Sequence, residues 1–201
     1  PVKAGATTGL VVSGRGGVPA SGVAAVVVNV TVTETAGSGY VTAWPSGVSR
    51  PLASNLNFVP GLTVANQAIV KVGAAGSINV YSSVSTHLVV DVVGYYPDGA
   101  GFAALTPSRL LDTRSGLRPT AGSTTPVTVT GRGGVPASGV SAVVLNITST
   151  GSAARGFVTQ WPAGEAKPWA STLNFDGGAV VAGMAIATVG AGGVVNVYTS
   201  S

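Results

Sequence analysis

The chain of 201 residues has no cysteine, which removes disulfides, thiolate zinc sites and cysteine nucleophiles together. Charge is also scarce. Charged residues make up 8% of the chain, against roughly 25% in an ordinary soluble domain, so hydration must rest on Thr, Ser, Asn and backbone. The formal charge of +4 and the pI near 9.8 come without any Lys/Arg cluster, and nucleic acid binding needs a concentrated phosphate-neutralising patch. No nucleic acid partner is expected. Apolar runs such as Val23 to Val28 and Leu88 to Val93 have strand length and fall far short of the ~20 residues of a spanning helix, so no membrane span is expected. Good helix formers (Lys, Glu, Gln, Met) are few, while β-branched Val and Thr are frequent. The sequence opens at Pro1 without Met, a charged leader or an apolar leader segment, and reads as a mature or excised segment whose targeting signal lies elsewhere.

What is present in quantity is self-similarity. Gly14-Arg15-Gly16-Gly17-Val18-Pro19-Ala20-Ser21-Gly22-Val23 returns unchanged as Gly131 to Val140, a period of 131 − 14 = 117 residues. The same offset superposes Tyr40 on Phe157, Trp44-Pro45 on Trp161-Pro162, Leu56-Asn57-Phe58 on Leu173-Asn174-Phe175, and Asn79-Val80-Tyr81 on Asn196-Val197-Tyr198. A duplicated domain explains this, because the period is too long for a solenoid coil or propeller blade.

Within each copy the apolar residues alternate, as in Val26, Val28, Val30, Val32 against Asn29, Thr31, Thr33, and again in Val143, Leu145, Ile147 against Asn146, Thr148. That period of two is a half-buried strand. Further strands are expected over Leu10 to Ser13, Tyr40 to Trp44, Asn55 to Phe58, Ala65 to Val72, Ser77 to Ser82 and His87 to Tyr95, with Gly, Pro and Ser turns between them. The expected fold is all-β, as two tandem antiparallel β-sandwich domains, with a β-barrel as the alternative. The copies align over residues 1–84 and 118–201, leaving 85–117 present once. That segment holds a closing strand, Leu88 to Tyr95, and an expected opening strand, Phe102 to Asp112. The domains are therefore drawn as 1–98, without an opening strand, and 99–201, without a closing one. Their open edges suit pairing with neighbouring copies of the repeat, in the same chain or head-to-tail between chains, through Leu88, Val90, Val92, Leu110 and Leu111.

The repeated decapeptide, the Val/Asn/Thr strand, the Leu-Asn-Phe and Asn-Val-Tyr elements, Leu88-Val89-Val90-Asp91-Val92-Val93-Gly94-Tyr95 and Pro107-Ser108-Arg109-Leu110-Leu111-Asp112-Thr113-Arg114 together resemble repeats of large secreted or cell-surface proteins of high-GC Gram-positive bacteria and their relatives. The resemblance covers essentially the whole chain. It implies an extracellular or cell-surface accessory or structural module, often in tandem, and supplies no catalytic residue.

The residues themselves point away from catalysis, so no enzyme, cofactor, metal site or catalytic residue is expected. His87 is the only histidine, so a His-based triad or metal site cannot occur in each copy. On a strand it stands about 13 Å from Asp91 at ~3.3 Å per residue, too far for a hydrogen bond. None of the six carboxylates, Glu34, Asp91, Asp98, Asp112, Glu165 and Asp176, recurs at the 117-residue offset, and neither a facing acid pair nor a calcium loop is visible. Asp112-Thr113-Arg114 reads as a turn in which Asp112 accepts from backbone amides while Arg109 or Arg114 balances its charge. Gly-Arg-Gly-Gly lacks the Gly-Lys-Ser/Thr ending of a phosphate loop and precedes a strand rather than a helix. The paired asparagines Asn29/Asn146, Asn57/Asn174 and Asn79/Asn196 suit either an amide ladder that fixes register or donors to a sugar. Trp44 and Trp161 fit packing at a sheet end, whereas Trp169, Tyr95 and Tyr96 are candidates for glycan contact.

The expected function is that of a structural or spacer module in an extracellular fibre, coat or multidomain surface protein. The alternative is a module binding carbohydrate, with a cell-wall or extracellular glycan as partner.

Overall fold

A computed structural model describes residues 1–116 and 118–201, and it is all-β. The chain forms two compact units, Pro1–Pro107 and Ser108–Ser201. Unit one contains β1 (Thr7–Val11), β2 (Val23–Thr33), β3 (Gly39–Pro45), β4 (Leu56–Phe58), β5 (Val64–Lys71), β6 (Ser77–Ser82) and β7 (His87–Pro97). They make two antiparallel sheets in the orders β1-β6-β3-β4 and β5-β2-β7. Alternation explains the layering: Val26, Val28, Val30 and Val32 send their side chains to one face of β2, where each is 0–1% exposed, against Val41, Ala43, Ile78 and Val80 of the facing sheet. Asn29, Thr31 and Thr33 take the other face.

Unit two repeats the plan with β8 (Thr124–Thr128), β9 (Ala142–Ser149), β10 (Gly156–Pro162), β11 (Leu173–Phe175), β12 (Val181–Thr188) and β13 (Val194–Thr199). Its sheets run β11-β10-β13-β8 and β12-β9, around Val127, Val129, Val143, Ala187 and Val195. Ladder registers recur at the same spacing: Trp44 opposes Asn79 as Trp161 opposes Asn196, and Val28 opposes Ala68 as Leu145 opposes Ala185. The described strands form open sheets in both units, so the barrel alternative does not hold.

Loop bonds recur with the ladders. The buried hydroxyl of Thr42 donates to the Ala53 carbonyl at 2.6 Å, and that of Thr159 to the Ala170 carbonyl at 2.9 Å. Gly73 and Gly190 each lie so close to the loop after the third strand of their unit that a Cβ would collide with the backbone of Ser46 or Ala163 respectively.

One expected element does not form. Phe102 to Asp112 carries no strand; it follows a turn in which Gly99 and Gly101 take positive φ, and Phe102 stacks on Tyr96 with centroids 4.4 Å apart. Without a neighbouring strand, a ladder has nothing to bond to. Leu110 instead packs onto the unit-two core, and the Arg132 guanidinium donates to its carbonyl at 3.0 Å.

Candidate functional site

The two units differ most where they should be alike. In unit one β2 is an inner strand, paired with β5 on one side and β7 on the other. Its counterpart β9 pairs with β12 alone among the described residues. The consequence lies in the core row: Val28 and Val30 are 1% exposed, whereas Leu145 and Ile147 at the same ladder positions are only half-buried. Val143 closes to 9%, and Leu110, Val135 and Val140 pack nearby. An apolar shelf with a strand edge beside it is therefore open in unit two.

In unit one that region is covered by the inward row of β7. Leu88, Val90 and Val92 pack against the core cluster, while His87, Val89, Asp91 and Val93 face outward. Of the residues expected to make contacts between units, these three are thus engaged inside unit one, Leu110 is half-buried in unit two, and Leu111 is 44% exposed. An apolar cleft of about 200 Å³ also opens between Leu10, Val80, Leu88 and Val90.

A second arrangement combines rings with cations. On unit one, Tyr40 and Tyr81 tilt against each other with centroids 5.8 Å apart, and the Arg50 guanidinium lies 3.6 Å from the Tyr81 centroid. Unit two has Phe157 and Tyr198 at 5.9 Å, with the Lys167 ammonium 4.4 Å from the Tyr198 centroid. Arg50 and Lys167 stand at the repeat offset, and this recurrence of a cation is the signal in the sequence for the pairing. Position 52 differs between the copies: exposed Leu52 in unit one is Trp169 in unit two. Trp169 is fully exposed, with the Lys167 ammonium 5.9 Å from its ring centroid. Tyr95 is exposed and Tyr96 half-buried against Phe102; both belong to unit one, and Trp169 to unit two.

The remaining polar candidates have structural partners. Trp44 and Trp161 are buried, and their indole N–H groups donate to the carbonyls of Val48 at 3.0 Å and Glu165 at 3.1 Å. Four of the asparagines bond locally: Asn29 donates to the Thr31 hydroxyl at 3.4 Å and Asn146 to the Thr148 hydroxyl at 3.5 Å, while Ser54 donates to Asn57 and Asn174 donates to Ser171. Asp112 accepts from the Arg114 backbone amide at 3.1 Å, from the Arg114 guanidinium at 2.9 and 2.6 Å, and from Arg109 at 3.0 Å. The side-chain bonds from Arg114, then its backbone bond, hold the Asp112 carboxyl far below the usual carboxylate range. His87 sits on the edge strand with Nε2 3.5 Å from Glu34 Oε2, both side chains well exposed. Among the described residues there is no group of three or more His, Cys, Asp or Glu side chains that could hold a metal ion. No protein-family model, curated protein or solved structure matches the chain.

Proposed function

We propose that this chain is a structural, non-enzymatic repeat module of a secreted or cell-surface protein, with its units joined by strand pairing between successive copies. The observation that supports it is the pattern of what recurs. Ladder registers, core rows, turn glycines and buried hydroxyl bonds all return at the 117-residue offset. The carboxylates that lie within the two aligned copies, Glu34, Glu165 and Asp176, do not. A duplicated enzyme would repeat its reactive groups; a duplicated scaffold repeats its packing. Electron micrographs of the native polypeptide should show rows of globules outside the cell, one for each repeat. An intracellular protein without such rows, or turnover of a polysaccharide by the purified chain, would overturn the reading.

Trp169 supports a second reading, as a contact for a cell-wall or extracellular glycan. A fully exposed indole beside a lysine offers a ring face for sugar C–H groups and a cation for an acidic substituent. Pull-down on an acidic cell-wall polysaccharide should then be lost in Trp169→Ala and kept in Leu52→Ala. Equal retention in both variants would remove it.

A further inference from the structure

We propose that Arg50 of unit one and Lys167 of unit two are the centres of two equivalent subsites for the carboxylate of an acidic extracellular glycan, one on the outer face of each four-stranded sheet. The proposal takes its ligand class from the glycan reading of Trp169 and goes beyond it by placing a site in each unit. Val41, Ala43, Ile78 and Val80 face the core, which leaves Thr42, Trp44, Asn79 and Tyr81 on the outer face of β3 and β6. The loop after β3 folds back over that face. It is clamped by the bonds that Thr42 donates to Ala53 and Trp44 to Val48, and it lays the Arg50 guanidinium on the Tyr81 ring at 3.6 Å. Unit two is built alike: Thr159 donates to Ala170, Trp161 donates to Glu165, and the same loop brings the Lys167 ammonium to 4.4 Å from the Tyr198 centroid.

The cation is more than a clip for the loop, because in each unit the two bonds to the sheet already close it. It is also left unbalanced. Among the described residues the carboxylates pair with His87, Arg109, Arg114 and Arg155, and no ion pair includes Arg50 or Lys167. Both side chains are exposed, and the residue type changes between the copies while the charge is kept. A ring face holds a cation in place without neutralising it, so what each site lacks is an anion, and one positive charge matches one carboxylate. The neighbouring group selects a sugar as its carrier. Asn79 and Asn196 lie two residues along the strand from the ring on the same face, about 7 Å away. Among the described residues their side chains make no hydrogen bond, and an amide that both donates and accepts suits the hydroxyls of the sugar that bears the acid.

The test titrates the full chain with tetragalacturonate and follows the NMR signals of the Tyr81 and Tyr198 rings. Both rings should respond in the parent chain. Arg50→Gln should weaken the Tyr81 response about tenfold or more and leave that of Tyr198 unchanged, and Arg50→Lys should restore it, as Lys167 already serves unit two. The methyl ester of the same tetrasaccharide keeps the sugar rings and most hydroxyls but not the charge, and should bind about tenfold more weakly or worse. No response at either ring, equal binding of acid and ester, a Tyr81 response indifferent to Arg50→Gln, or equal binding of tetraglutamate would each overturn the proposal. On a polymer two weak sites act together, so pull-down falls when either is lost. Loss of pull-down in Trp169→Ala with no effect of Arg50→Gln would leave the Trp169 reading standing and refute this one. If Arg50→Gln and Lys167→Gln each silenced the ring of their own unit while Trp169→Ala silenced neither and kept pull-down, the reverse would hold.

Discussion

Val28 and Leu145 hold the same place in equivalent ladders, yet one is sealed and the other half-buried. An aspartate at either site must shed water without gaining a partner, and the penalty scales with how completely the site is closed. In urea titrations Val28→Asp should therefore destabilise unit one by several kcal/mol, about 3 or more, Leu145→Asp should cost unit two less, and Thr31→Asp on the outer face should stay within about 1 kcal/mol. Equal costs at Val28 and Thr31 would show the strand to be facing the other way. Asp112 gives a test by pH. Its folded pKa lies below the unfolded value, so its contribution is present above the ordinary aspartate range and fades as pH falls below about 4. The difference in melting temperature between the parent chain and Asp112→Asn should be small, favour the parent at pH 7, and shrink between about pH 4 and pH 2. A difference that stays constant across that interval would mean that ionised Asp112 does not hold the turn.

At the scale of elements, β2, β3, β6 and β7 were legible because alternation and turn glycines bounded them, and β1, β4 and β5 lie within a few residues of where the pattern put them. Phe102 to Asp112 was misread for a physical reason. Its apolar residues resemble a strand, but strand formation needs a partner ladder, and partners are a property of the fold rather than of the segment. The same limit hid the Arg50 and Lys167 contacts, since a cation after the third strand says nothing of a ring on the sixth. The turn glycines carry an element-scale prediction. A Cβ at Gly73 or Gly190 meets backbone that cannot swing aside, so Gly73→Ala should destabilise unit one, and Gly190→Ala unit two, by about 1–3 kcal/mol. Midpoints unchanged in thermal unfolding would show that these turns relax freely.

For the whole molecule, the two units share a plan but not a degree of closure, so stability should be unequal. Unit one seals its β2 row beneath three strands, while unit two leaves the matching row under two. By sequence β9 matches the interior strand β2, yet among the described residues it stands as an edge strand. Residue-resolved hydrogen exchange on the free polypeptide reads this most directly, because edge amides open without global unfolding. Amides of Ala142–Ser149 should exchange about tenfold faster or more than those at the matching positions of β2. Equal protection along the two strands would contradict the account.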